Sequence, residues 1–280
     1  MEKQRPDLLY HYTNFVALEG ILLKDGLRLH SYKEMNDKKE LFHFIEMAEK
    51  AVIKRCKLEG KLYLIENSKK IFSQQKIKRK DDEVYLASFS EWEDDAAQWE
   101  RYGCMGQGVA IAFDYEKLKE IARCYSLICN RVFYGKTADS HDIIDDIMDV
   151  LDNHYPTKHG LNDWETIFNN MWAFAAAHKN ASFESEKEYR ILTLPMWDGE
   201  RFDKLGEMKA VTTPAQIKKC LCLDLKKGCA NRNLHFDDLI RKIVIGPKSS
   251  MKVSELKSWL IDKGLEMLSR RVYKSTSSLC

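Results

Sequence analysis

Three short stretches, far apart in the chain, gather side chains capable of chemistry. The first is His11-Tyr12-Thr13, which ends the apolar run "LLYHYT". The second is "SFS", Ser88 to Ser90, followed closely by Gln98, Trp99, Arg101 and Tyr102. The third is "FESEKEYRIL", in which Glu184, Glu186, Glu188 and Arg190 lead into a strand. Period-two alternation predicts that Glu186, Glu188 and Arg190 share one strand face, while Tyr189, Ile191 and Leu192 help build the core. Two carboxylates so placed repel each other unless a cation or a ligand lies between them. An imidazole can donate to a hydroxyl or phosphate oxygen, and an aromatic ring can stack on a cationic heterocycle.

The same residues also admit a structural reading. The glutamates suit an exposed ladder neutralised by Lys187, Arg190 or Lys179. His11 suits a turn, and the hydroxyls of Ser88 and Ser90 suit strand-end caps.

The elements that must position these groups are legible in the pattern. Residues 8 to 13 read as a strand. Asn14 then reads as the N-cap of a helix carrying Phe15, Leu18 and Leu22 on one face, with Gly26 just past its end. "LRLHS" reads as a strand, and the segment from residue 41 to about 75 has helical periodicity. "VYLASFS" alternates as a strand, "DDAAQWERYG" makes one or two helical turns, and the nearly apolar "GQGVAIAFD" suits a central strand. "ARCYSLICNRVFYG" continues the strand-rich pattern. Residues 139 to 180 read as a mostly helical insertion. "EYRILTLP", "KCLCLDL" and "IRKIVIGP" follow as strands, and "VSELKSWLIDKG" as a helix bounded by Ser254 and Gly264. Helices segregated into blocks between groups of strands predict an α+β fold, and the absence of a linker-like stretch predicts one domain over residues 1–280.

Composition is that of an ordinary folded domain: 280 residues, 44% hydrophobic, 31% charged, with a formal charge of +2 that does not by itself call for nucleic acid or membrane. The N-terminal stretch lacks the apolar core of a signal peptide, and no apolar run reaches the roughly 18 residues of a membrane span, so a cytoplasmic protein without membrane contact is expected. Cys220, Cys222 and Cys229 with His235 have zinc-compatible chemistry, but "CLCLDL" alternates like a strand and no CxxC occurs, which favours structural cysteines; no metal is expected. The glycines of "YGCMGQG" precede a strand rather than a helix and read as a turn, not as a phosphate loop. No G-x-S-x-G elbow accompanies His11, and Cys104 carries no sign of activation.

The motifs "LYHYT" (9 to 13), "MNDKKE" (35 to 40), "SFS", "WERYGCMGQGVAIAFD" (99 to 114), "EKEYR" (186 to 190) and "IRKIVIGP" (240 to 247) resemble those of a bacterial family known only as a domain of unknown function. Lys38 stands where that family has proline, and Tyr189 where it has tryptophan. The order of a first-strand His, a Ser-x-Ser strand and a Glu-x-Glu entering a later strand is also similar to the ADP-ribosyltransferase superfamily. That resemblance implies a split β-sheet core with helical insertions and a substrate NAD, held by His11, Tyr12, Thr13, Ser88, Ser90, Trp99, Tyr102 and Arg190. Glu188 would be catalytic, with Glu186 activating the acceptor. It further implies transfer to an unidentified macromolecule, nucleic acid or protein, in a toxin or antiphage setting with an antitoxin or immunity partner. NAD hydrolysis, RNA phosphate transfer by the same fold, and a silent nucleotide- or protein-binding module remain open at this point.

Overall fold

The computed structural model describes residues 5–24, 26–32, 40–78, 84–135, 142–153, 171–172, 174–193, 207–212 and 217–279. The chain begins with β1 (Leu8–Thr13), then α1 (Phe15–Glu19), for which Asn14 accepts a hydrogen bond from the Ala17 amide at 2.7 Å. A π-helical turn, Gly20–Lys24, ends at Gly26, whose φ of 72° aims the chain into β2 (Leu27–Ser31). Two long helices, α2 (Glu40–Leu58) and α3 (Ile65–Lys78), precede β3 (Tyr85–Ser90). The middle of the chain supplies α4 (Ala96–Arg101), β4 (Val109–Asp114), α5 (Tyr115–Cys124), β5 (Ile128–Arg131), β6 (Phe133–Tyr134) and α6 (Asp142–Asn153). Next come β7 (His178–Lys179), a 3-10 segment (Ala181–Glu186) and β8 (Glu188–Leu192). The last part contributes β9 (Glu207–Thr212), β10 (Ile217–Leu223), α7 (Leu225–Ala230), α8 (Phe236–Leu239), β11 (Ile240–Ile245), α9 (Val253–Asp262), α10 (Glu266–Ser269) and β12 (Val272–Lys274).

Among the described residues, ten strands form one sheet that is antiparallel apart from the β11–β12 pair, giving an α+β architecture. Its decisive feature is at β3. One edge of β3 pairs with β8 from Leu86 to Ser90. The other edge pairs with β2 at Tyr85 and Leu86 and with β1 only at Ser90. Because β1 and β2 both meet that second edge, one at each end, the sheet divides there. One arm runs through β1, β4, β11 and β12, the other through β2, β10 and β9.

Alternation sorts the side chains by face. Leu9, Leu29, Ala87, Phe89, Ile111 and Ile191 belong to the main apolar cluster on one face. On the other face there are two separate clusters. Tyr32, Leu86 and Leu192 pack with α2 and α6 and with residues 171–172 and 174–177, whereas Tyr10, Tyr12, Ala110, Ala112 and Val244 pack with Trp99. Between those two clusters the face is polar, since Arg28, Ser88, Ser90, Glu188 and Arg190 occupy the alternate positions of β2, β3 and β8.

Several expectations change. The chain around Ala122 to Cys124 is the end of α5 rather than a strand, since Leu118, Ile121 and Ala122 form an apolar helical stripe. Glu186 closes the 3-10 segment instead of sharing the strand face of Glu188, because Lys187 takes a left-handed conformation (φ 45°) between them. Lys252, not Ser254, precedes α9, and the Glu255 carboxylate accepts from its amide at 2.9 Å. Within the expected helical insertion, α6 and residues 174–176 are helical and residues 178–179 are a strand; residues 154–170 lie outside the described set.

The glycine turn before β4 has a steric origin. A Cβ at Gly108 would stand 2.1 Å from the Thr13 carbonyl oxygen, at the end of the β1–β4 ladder. Gly108→Ala should therefore cost more than about 1 kcal/mol. The check is the urea midpoint, and an unchanged value would mean that the ladder end can part freely.

Candidate functional site

The division of the sheet leaves the β3 edge between Leu86 and Ser90 without a strand partner among the described residues. The Ser88 carbonyl, which a neighbouring strand would ordinarily satisfy, instead accepts from His11 Nδ1 at 2.9 Å. A carbonyl can only accept, so Nδ1 carries the proton and Nε2 is left as an acceptor. Burial first, and then the neighbouring His30, hold the His11 pKa below its ordinary 6.5, against the pull of the Ser88 hydrogen bond. The imidazole is thereby kept neutral, with its ring against Phe89 at a centroid separation of 5.4 Å.

Over this gap lies a cavity of about 210 Å³. His11, Tyr12, Ser88, Ser90, Tyr102, Glu186 and Glu188 all line it, so the three sequence stretches do meet. So do Arg28 and His30 of β2, Gln98 of α4 and Lys179 of β7.

The charged wall is built around Lys179. Its ammonium donates to Glu186 Oε2 at 2.6 Å and to Glu188 Oε2 at 3.1 Å, bridging the two carboxylates. Arg190 Nε donates to Glu188 Oε1 at 2.7 Å and Nη2 to Oε2 at 3.2 Å, while Nη1 is anchored on the Ala176 carbonyl at 2.6 Å. Glu186 Oε1 receives Arg101 Nη1 at 2.7 Å and the Tyr102 hydroxyl at 3.2 Å. Burial alone would raise the pKa of Glu188, but the charges of Arg190 and Lys179 outweigh it and bring the value down to about 2. Burial likewise opposes the Lys179 charge, and Glu188 and Glu186 overcome it, so this lysine stays protonated well above its usual range. The glutamates are not the exposed ladder that their spacing also allowed; Glu186, Glu188, Lys179 and Arg190 are all buried.

The backbone around this wall is held by side chains. The Ser90 hydroxyl donates to the Glu186 carbonyl at 2.8 Å and accepts from the Trp92 amide at 3.1 Å, clamping the 3-10 segment to the end of β3. The Tyr134 hydroxyl accepts from the Glu188 amide at 2.8 Å. Ser88 differs: its hydroxyl stands next to the Glu188 carboxylate and helps hold it ionised, yet among the described residues it makes no hydrogen bond of ordinary geometry.

Not every candidate reaches the cavity. Trp99 is fully buried, edge-on to Tyr12 at 4.8 Å, with its indole N–H donated to Asp94 at 2.6 Å. It supports Tyr12 from behind and offers no face to a ligand. Thr13 lies at the far end of the β1–β4 ladder, outside the cavity lining. Arg190 is also outside the lining and acts through Glu188. Tyr102 is 44% exposed, the one sequence-selected aromatic with an open face at the rim. Arg28 and His30 belong to no motif, and their one signal in the sequence is that they alternate with Leu27 and Leu29 in "LRLHS" as polar residues on an otherwise apolar strand. Cys220 and Cys222 do share a face of β10, Sγ atoms 3.8 Å apart, while Cys229 is in the main apolar cluster and His235 is exposed. Among the described residues, no group of three or more His, Cys, Asp or Glu side chains could hold a metal ion, and no helix is long and apolar enough to cross a membrane.

Residues 98–191 match the family model described as "Protein of unknown function (DUF2971)", about a third of the chain. The matched stretch carries Gln98, Tyr102, Lys179, Glu186, Glu188 and Arg190, whereas His11, Arg28, His30 and Ser88 come from outside it. No curated protein and no solved structure matches the chain.

Two outcomes follow from this arrangement. Lys179→Met removes the cation between two buried carboxylates and should cost about 3–5 kcal/mol in chemical denaturation. The His11 imidazole should titrate with a midpoint below 6.5 by NMR. Its neutral form then favours the folded state: that contribution is whole above pH 6.5 and is lost as pH falls below it, where the unfolded chain takes up the proton.

Proposed function

We propose that this cavity binds the nicotinamide half of NAD and that the protein transfers ADP-ribose to a macromolecular acceptor, nucleic acid or protein. One observation supports the reading above others: His11, Ser88 and Glu188, from three distant segments, converge on one hollow at the division of the sheet, with Glu188 held as the anion. The hollow is smaller than the roughly 300–1,000 Å³ of typical ligand clefts, so one nucleoside half would be enclosed and the rest would lie across the rim.

The chemistry follows from the residues. The bond between the ribose C1′ and the nicotinamide nitrogen breaks, and its electron pair leaves with the ring, which departs neutral. Positive charge develops on the sugar, and the Glu188 carboxylate stabilises it. The acceptor oxygen or nitrogen forms the new bond to C1′ and gives up its proton, with Glu186 as the nearest second carboxylate. The tautomer of His11 refines its role: Nε2 accepts from a ribose hydroxyl rather than donating. The Tyr102 ring covers the cationic nicotinamide at the rim.

The dense pairing of both glutamates supports a second reading, a nucleotide-binding module without turnover, because each carboxylate already has two or three donors. Incubating the purified protein with NAD and a cell lysate separates the readings. Nicotinamide release with a labelled macromolecule supports transfer, and release without one supports hydrolysis with water as acceptor. Saturable NAD binding without release supports the module, and failure to bind NAD removes all three. Under the transfer reading, Glu188→Gln should lower turnover about a hundredfold or more with little change in NAD binding.

A further inference from the structure

The aromatic support of the cavity is fastened to a part of the chain far from it in sequence. Trp99 braces Tyr12, and Tyr12 lines the cavity. The Trp99 indole N–H is donated to Asp94 Oδ1. The same carboxylate takes further donors from the segment that follows β12: the Ser275 hydroxyl on Oδ1 at 2.6 Å, and the Thr276 amide and hydroxyl on Oδ2 at 2.7 and 3.1 Å. The Ser275 amide donates to the Ile245 carbonyl at 2.8 Å, but residues 275–279 belong to no helix or strand. Leu279 packs against the cluster of Tyr10, Tyr12 and Trp99. It also reaches the glycine turn before β4, where a Cβ at Gly106 would stand 2.7 Å from Leu279 Cδ2. Residues 275–279 are thus a strap on the aromatic cluster, fastened through Asp94 and Leu279.

Hydrogen bonds to an ionised acceptor are the stronger kind, so a carboxylate is an effective clasp. Partial burial works against the Asp94 charge, but the Ser275 hydroxyl, the Trp99 indole and the Thr276 donors outweigh it and hold the pKa below its ordinary value. A segment outside any helix or strand opens at a lower cost than the sheet beside it. With the strap seated, Asp94 is fixed as the acceptor for Trp99, and Leu279 completes the cluster that contains Tyr12. With the strap lifted, both supports are lost together. We infer that Asp94 is a positioning residue for the cavity: it couples the seating of the 275–279 strap to the placement of Tyr12 in the wall, so that the strap regulates binding at this site. The inference rests on the NAD reading only for the identity of the ligand. Coupling of this kind is reciprocal, so a ligand that needs Tyr12 braced must also hold the strap down.

Three measurements on the full chain test it: NMR of ring-labelled tyrosine, amide hydrogen exchange at Ser277, and titration with NAD. Ser277 is a suitable reporter because its amide donates to the Ser275 hydroxyl within the strap, at 3.1 Å. The variants are Thr276→Glu and Thr276→Gln, at an exposed position, and Asp94→Asn. Both replacements of Thr276 remove the hydroxyl donor, and only Glu sets a second negative charge against Asp94. Thr276→Glu should speed Ser277 exchange about tenfold or more relative to Thr276→Gln, and should weaken NAD binding by about tenfold. It should also shift the Tyr12 ring signals while leaving those of the exposed Tyr63 in place. NAD should slow Ser277 exchange in the unmodified protein by the factor that strap release costs in affinity. Added to Asp94→Asn, the two Thr276 replacements should be equivalent; if Asp94→Asn does not fold, as judged by its melting transition, the Thr276 pair carries the comparison. A strap loosened by Thr276→Glu while the Tyr12 signals stay in place overturns the inference, and so does equal Ser277 exchange in the Glu and Gln variants. Tyr12 signals that move with the strap in a protein that binds no NAD keep the inference and remove the NAD reading. NAD binding indifferent to strap release, with Tyr12 unmoved, does the reverse.

Discussion

The site depends on one ammonium group placed between two carboxylates. Without the Lys179 bridge, Glu186 and Glu188 would lose the one cation they share inside a buried hollow, and only Arg101 on one and Arg190 on the other would offset their repulsion. The bridge has its own supports. The two-residue strand β7 aligns Lys179 beside β6, and β6 presents the Tyr134 hydroxyl to the Glu188 amide. Lys179 also lies over the Phe183 ring at 4.7 Å, so the residue is held from two sides. Stability alone does not call for this network, since well-packed apolar residues of equal volume serve as well or better. What the network provides is a fixed position for ionised carboxylates at the edge of a cavity.

The rest of the architecture can be understood as the frame for that edge. A continuous sheet would carry strand partners along the whole of β3 and leave no room. Here one main apolar cluster occupies one face, while the opposite face has two clusters with a polar interval between them. The helical cluster of α2 and α6 stands on one side of the interval and the aromatic cluster of Tyr10, Tyr12 and Trp99 on the other. The aromatic cluster is carried by β1, β4 and β11 of one arm, and the helical cluster rests on Leu86 of β3 and Leu192 of β8.

Local pattern carried much of this. Alternation marks β3 and short apolar runs mark β1, β4, β8 and β11, and the Asn14 cap and the glycine turn before β4 are legible from residue chemistry alone. The three clusters of polar residues at strand ends were visible for the same reason, because they break an apolar rhythm. What could not be read is what depends on contacts distant in sequence. Trp99 looked available to a ligand, and only the packing of Tyr12 above it and Asp94 beside it removes it from the cavity. The Glu186–Glu188 spacing implied a shared strand face, and the left-handed Lys187 broke that inference without separating the carboxylates. For Arg28 and His30, nothing in their own segment says that β2 will lie across from β8. The division of the sheet is likewise a property of two arms meeting one strand, and no single segment encodes it.

A strand edge left open partway along its length is a template onto which another extended chain can dock, and proteins usually cover such edges or charge them. At Ser88 the vacancy is closed by a ring. The His11 imidazole answers the exposed carbonyl with one hydrogen bond, yet fills far less room than a strand would. The molecule thus keeps a concavity inside its sheet without turning that concavity into an adhesive seam.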